Sequence, residues 1–287
     1  MYYHWGAPES TGDEYNGLDM RGEVLILTRK IRIVGDPTDG WGGQVLTADV
    51  MESDGTERTG MLQLDSVEIY NCSQIDTHYA AIRFENALTM GQRVTNSAIH
   101  NGLGWGLAAK QTRNLDITGN IFFNFKQIGV GLDSVQNVVF DSNVLSVVTE
   151  RTTLEFSSSM SADVQGGIAV CSLTYPRPCT DVQVSNNLVA GSIYAGFLTM
   201  GQDCDDDAAL TFSNNVAHSI SGGLNGVGAL IYPDPAKESH AECHQASHFG
   251  AYKTEQQGIF TWGDSKHAIL SHITAVDVAG GVMVNMA

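Results

Sequence analysis

One phrase recurs along this chain at a near-constant interval, and that interval limits the fold more than any other property of its 287 residues. The phrase is an apolar pair flanking a polar residue, a polar corner, then a second apolar pair. Leu115-Asp116-Ile117-Thr118-Gly119-Asn120-Ile121-Phe122 and Val138-Val139-Phe140-Asp141-Ser142-Asn143-Val144-Leu145 are the clearest copies. Aligning on it places Cys72, Ser97, Asn120, Asn143, Asn187 and Asn215 in register at spacings of 25, 23, 23, 44 and 28, with a further copy around His272. A period in the twenties, with alternation inside each unit and Gly, Asn or Asp at the corners, predicts a β-solenoid. A single unit carries too few apolar residues to bury a core, so the units must stack. The Leu-x-x-Leu-x-Leu phrase of a leucine-rich repeat is absent and the strands are β-branched. The expectation is therefore an all-β, right-handed, single-stranded parallel β-helix with loop insertions.

A second strand recurs in each unit: Ile82-Arg83-Phe84, then runs starting at Gly106, Gly129, Gly167, Gly196, Gly228 and Gly281. Glycine there implies either positive φ at a tight corner or a place with no room for a Cβ. Two strands and a short third, at about 3.3 Å per residue, fill a rung of this length. Near the N-terminus, Glu23–Leu27 and Ile31–Val34 read as strands broken at Thr28-Arg29-Lys30, giving a first rung. This divides the chain into 1–35, the end of a preceding domain with the first rung, and 36–287, the β-helix. Three insertions leave the stack: Thr149–Gly166, an acidic loop at Gly201–Asp207, and Tyr232–Tyr252. Loops on a rigid scaffold are where binding usually resides.

A formal charge of −17 disfavours nucleic acid and anionic membranes as partners. Of five cysteines, Cys171 and Cys179 bracket a short turn, whereas Cys204 and Cys243 lie on separate insertions. Two disulfides from these four would staple loops outside the stack, leaving Cys72 as a buried thiol. No CxxC offers a zinc site. Asn71-Cys72-Ser73 is a single glycosylation sequon. No basic-then-apolar leader opens the sequence, so a secretion signal would lie outside it.

Four groups of residues are candidates to carry chemistry. A glycosidase on this scaffold needs carboxylates converging from adjacent rungs. Glu68, Glu85, Asp116, Asp133 and Asp141 are the strand carboxylates, and Asp116 and Asp141 occupy different sites of their rungs. Asp203, Asp205, Asp206 and Asp207 form the one acidic cluster; no other cofactor is indicated, and calcium is the ion such oxygen ligands suit. An exposed acidic loop tethered by Cys204 is the plainer reading of the cluster. His240, His244 and His248 recur at four-residue steps, but prolines precede them and HExxH order is lacking. His78 and His100, near rung corners close to Arg83, are the nearest approach to a catalytic group. For Asn120, Asn143, Asn187 and Asn215 a structural role is stronger: a corner ladder in which asparagine tolerates left-handed geometry and its amide bonds the next rung.

Arg21–Ile33 (RGEVLILTRKIRI) resembles the segment that closes the eight-glycine domain in the fibrocystin family. Asn186–Ser192, Gly196-Phe197 and Ser213–Ser219 resemble the β-helix region that follows it there. The resemblance runs from about Gly22 onward. It implies one piece of a very large, secreted or cell-surface, often cilium-associated protein. The cell-surface hyaluronidases share this architecture and carry a phrase similar to PIHFH, at whose place this chain has Ala80-Ala81-Ile82-Arg83-Phe84-Glu85. Both histidines are replaced, by Arg83 and Glu85, which favours the non-catalytic branch. The reading is thus a structural or adhesive extracellular module, carrying no catalytic residues. It would bind glycans, extracellular proteins or other domains of the same polypeptide, with self-assembly into a filament as a further option. The competing reading is a polysaccharide-degrading enzyme of the hyaluronidase or lyase type, in which His78, Arg83, Glu85 and His100 would be the residues to examine.

Overall fold

The computed structural model describes residues 14–15, 18–75, 77–149, 166–171, 179–199, 211–222, 226–231, 243–261 and 267–284. Among them there are only strands, turns and bends, and every long sheet is parallel. Each rung contributes one strand to each of three walls. In one rung these are Arg113–Thr118, Ile121–Lys126 and Ile128–Asp133; in the next, Gln136–Asp141, Val144–Thr149 and Gly166–Val170. The first wall is an eight-stranded sheet. The second and third are joined where Gly250–Thr261 runs through both as one long strand.

Alternation along each strand sends every second residue inward, and stacking turns those residues into continuous columns. Leu64, Val94, Ile117, Phe140, Val184 and Phe212 line the first wall; Ile69, Ile99, Phe122, Leu145 and Val189 line the second. Ile82, Leu107, Val130, Ile168 and Phe197 line the third, and all of these residues belong to one buried cluster.

The asparagine ladder is present and fully bonded. Asn143 accepts at Oδ1 from the Asn120 backbone amide at 2.9 Å and from Asn120 Nδ2 at 3.0 Å. Its own Nδ2 donates to the Ile117 carbonyl and to Asn187 Oδ1. Asn187 and Asn215 repeat the pattern, and Ser97 closes the upper end by donating its amide to Asn120 Oδ1. The left-handed residue, however, is the one before each ladder position: Ser66, Asn96, Gly119, Ser142, Asn186, Asn214, His248 and His272 all have φ between 50° and 69°. The ladder asparagines are buried beside that corner, where a polar group survives only by bonding. Two members of the sequence alignment consequently move. Ala98 pairs with Glu68, so Val67 and not Cys72 stands opposite Ser97. His272 is a corner residue, and Phe249 and Ile273 fill the ladder column beyond Asn215.

The recurring glycines act through the missing Cβ rather than through φ. Gly106, Gly129, Gly167, Gly196, Gly228, Gly258 and Gly281 form one column at the entry to the third wall, none with positive φ. A Cβ on Gly196 would sit 2.6 Å from the Gly228 carbonyl oxygen and 2.8 Å from Ala217 Cβ.

One expectation fails outright. Glu23–Leu27 is no rung strand, and only Ile31–Val34 enters the stack, pairing with Val67–Tyr70. Residues 18–30 instead run lengthwise over the outside of the second wall. Leu18 packs on Gly250, Glu23 Oε1 lies 2.9 Å from His218 Nε2, and the Arg29 amide donates to Glu68 Oε2 at 3.0 Å. From Gly250 back to Glu68 is six register steps, about 29 Å at ~4.8 Å each, and eleven extended residues span about 36 Å. This strap explains why the outward residues Glu68, His100, Ala190, His218 and Tyr252 are buried. Within it, Glu23, Leu25, Leu27 and Arg29 are half-buried, while Val24 and Ile26 face solvent.

Candidate functional site

On the outside of the third wall, at its N-terminal end, the stack brings together a polar and aromatic group from three stretches of sequence. Register places Arg83 outward between Leu46 and Ala108, and places Glu85, Lys110 and Asp133 in one column on consecutive rungs. Turns 35–44, 71–75 and 77–81 close over the corner above. Trp41 bridges Gln74, the Gly42 amide donates to the Ser73 carbonyl, and Ser73 donates its own amide to Gly43. Ser73 Oγ accepts from Gly104, and the Gln74 amide donates to the Tyr79 carbonyl, so the turns that carry the aromatic residues are held by backbone bonds.

Tyr79 is the centre of the group. The Arg83 guanidinium lies over its ring at 4.3 Å, with His78 at 4.7 Å and Trp41 at 6.4 Å between ring centroids. Arg83 also bonds the Glu85 carboxylate and donates from Nη1 to Gln44 Oε1 at 2.8 Å. Trp41 is 59% exposed. Gln44 Nε2 and Gln74 Oε1 are buried with no bonding partner. Burial pushes His78 below the ordinary imidazole value, the positive charges of Lys110 and Arg83 push it further, and Glu85 opposes them. Burial likewise lowers Lys110, with Asp133 and Glu85 pulling the other way. Further down, the outer side of the wall carries a second, buried apolar cluster, with Trp105 lying against Gly131 beside Ala108, Ile128, Ala169 and Leu198.

The sequence-derived candidates divide accordingly. His78, Arg83 and Glu85 come together. His100 does not: it lies on the second wall under the strap, stacked on Tyr70 at 5.4 Å with Nε2 3.4 Å from Glu68 Oε1. Burial lowers His100 despite that carboxylate. Asp116 and Asp141 share the first wall on adjacent rungs, two positions apart in register. Asp116 bonds Thr118, while Asp141 accepts from Ser142, Ser185 and Asn186. Asn71 occupies a left-handed corner, and the Ser73 of its sequon is buried. Cys171 and Cys179 form a disulfide, and Cys72 is a buried free thiol. Asp203, Asp205, Asp206, Asp207 and Cys204 lie outside the described residues, as do His240 and the side chains of Cys243 and His244. The backbone around His244 and His248 is strand and corner, not helix. Among the described residues no group of three or more His, Cys, Asp or Glu could hold a metal ion.

Sequence reasoning missed Trp41, Tyr79, Gln44, Gln74 and Lys110. The signal for Lys110 was available: carrying the Ile82, Leu107, Val130 register three residues further gives Glu85, Lys110 and Asp133, a column of alternating charge.

A family described as the right handed beta helix region matches residues 57–272. Fibrocystin of Mus musculus is 28% identical over 280 residues, covering 98% of this chain and 6% of its own length. Fibrocystin-L of Homo sapiens is 26% identical over 237 residues, covering 76% of this chain and 5% of its own. This chain therefore spans a small fraction of the relatives it matches. Among solved structures, PfbA, a surface adhesin of Streptococcus pneumoniae, superposes with a TM-score of 0.45 at 13% identity, covering 84% of this chain and 51% of that one.

Proposed function

The chain belongs to the right handed beta helix family and is similar to fibrocystin, and from that premise we propose that it is a non-catalytic binding module of a large extracellular, cell-surface protein. Its outer walls present fixed side chains to glycans or neighbouring proteins. The observation that carries this reading is the Arg83 and Glu85 pair. At the two positions where the hyaluronidase-like phrase has histidines, a guanidinium and a carboxylate are bonded to each other. The pair is further held by Gln44 and Tyr79, a geometry that anchors a surface. The Cys171–Cys179 disulfide supports an oxidising, extracellular setting.

A depolymerase has one observation in its favour. Glu85 and Asp133 share a column two rungs apart, about 10 Å at ~4.8 Å per rung. Lys110 stands between them and feels both charges, which opposes the free acid and base that glycoside hydrolysis requires.

The test is retention of the immobilised protein's ligands from a panel of glycans and extracellular proteins, with the glycans sized afterwards. Binding with unchanged glycan length supports the module. Shortened glycans, or no retention of any member, overturn it.

A further inference from the structure

We propose that Trp41, Tyr79, Gln44, Gln74 and His78 form a subsite for one uncharged saccharide residue. This deepens, and rests on, the binding-module reading. The first argument is shape. An exposed indole beside a half-buried phenol ring, tilted 37° to it and covered on one face by the Arg83 guanidinium, in turns held by backbone bonds, offers a shallow apolar platform at little ordering cost. The axial C–H face of a pyranose is the complement of such a platform, with hydroxyls left to reach a polar rim.

The second argument is hydrogen-bond type. Gln44 offers its Oε1 to Arg83 and keeps an unpartnered donor, Nε2; Gln74 keeps an unpartnered acceptor, Oε1. A hydroxyl both donates and accepts, so sugar hydroxyls, directly or through a water, answer both atoms. A carboxylate or sulfate only accepts and would leave Gln74 Oε1 unanswered. Both atoms are covered while their residues are only half-buried, so a ligand reaches them by turning the terminal amides, at the expense of the Arg83 bond in the case of Gln44. A deprotonated His78 is again one donor and one acceptor.

The third argument is charge. Arg83 and Lys110 are matched by Glu85 and Asp133 on the same wall, so no surplus cation remains for an anion, and the chain as a whole carries −17. Acidic glycans are repelled at long range and gain no unmatched partner on arrival.

The experiment titrates the protein with mannotriose, galactotriose and tri-N-acetylglucosamine, and with hyaluronan and heparin hexasaccharides. Saturation-transfer NMR and tryptophan fluorescence read the binding. The variants are Trp41→Ala, Tyr79→Ala and, on the first wall, Gln183→Ala. The expected result is binding of at least one neutral trisaccharide that weakens tenfold or more in Trp41→Ala and Tyr79→Ala and is unchanged in Gln183→Ala. Because Trp41 is mostly exposed, its variant should fold, and an unchanged thermal transition confirms that. Neutral binding that survives both aromatic variants overturns the location. Binding of the acidic hexasaccharides alone overturns the ligand class while leaving the module. Retention of extracellular proteins with neither glycan panel bound overturns the subsite and again leaves the module.

Discussion

Replacing Asn143 by leucine conserves side-chain volume and removes one rung's share of the ladder, which separates hydrogen bonding from packing. In the native chain Asn143 is fully buried and makes four side-chain bonds. The leucine variant strands the Asn120 backbone amide, whose acceptor was Asn143 Oδ1, and takes a donor from the Ile117 carbonyl. Asn120 Nδ2 still reaches Val94, and the Asn143 amide still donates to Asn187. Leaving a buried group unsatisfied costs about 1–3 kcal/mol, so two such groups cost about 2–6 kcal/mol. At ~2–4 °C per kcal/mol for a chain of roughly this size, the melting temperature falls by at least about 4 °C. Hydrogen exchange by mass spectrometry should show the loss first in Arg113–Lys126, the strands flanking Asn120. Ser142→Gly is the control. It removes the Cβ from the left-handed corner at φ 55°, gives up one exposed hydroxyl bond to Asp141, and leaves the melting temperature close to the wild type. A leucine variant melting within a degree of the wild type would refute the claim that the ladder stabilises the coil.

Gly196→Ala places a Cβ 2.6 Å from the Gly228 carbonyl, and overpacking of this kind costs about 1–3 kcal/mol; denaturant midpoints should fall, and an unchanged midpoint would show that the column is not crowded. The strap should loosen in acid. Burial raises Glu68 and Glu23, but the Arg29 amide with Arg32 and His100 in one case, and His218 in the other, leave both below the ordinary carboxylate value. Their contribution is therefore present above about pH 4.3 and lost as pH falls through the folded values, while the lowered His100 adds a loss beginning below about pH 6.5. Trypsin cleavage after Arg29 or Lys30 in pulses on acid-equilibrated protein should rise from pH 7 to pH 4, and the opposite trend would contradict the assigned contacts. Cys171→Ser should cost about 2.5 kcal/mol by loop-closure entropy for a separation of eight residues; an unaltered melting temperature, with the disulfide confirmed by peptide mapping in the parent, would contradict that.

The stack was legible because its signal is redundant: β-branched alternation within each unit and a buried asparagine at a fixed step both report one register. What failed shares a physical cause. Glu23, Leu25 and Leu27 alternate with exposed partners in the strap just as they would in a rung, since period two records only that one face is covered and not by what. Ser142 and Asn143 are adjacent, and sequence could not say which turns the corner and which bonds the next rung. His78 and His100 both lie near rung corners in the sequence, yet His78 stands just ahead of the third-wall strand at Ile82 while His100 ends a strand of the second wall. The aromatic platform was hidden because Trp41 and Tyr79 lie in irregular turns that have no period, and only the backbone bonds between those turns bring the two rings together.

The central claim is that this wall binds and does not cleave. Incubating the protein with high-molar-mass hyaluronan and with a neutral polysaccharide such as galactomannan, and following molar mass by light scattering, tests it most directly. The account predicts that both polymers keep their length over a prolonged incubation while the neutral one retards the protein on an affinity gel. Progressive shortening of either polymer, abolished by Glu85→Gln, would contradict it.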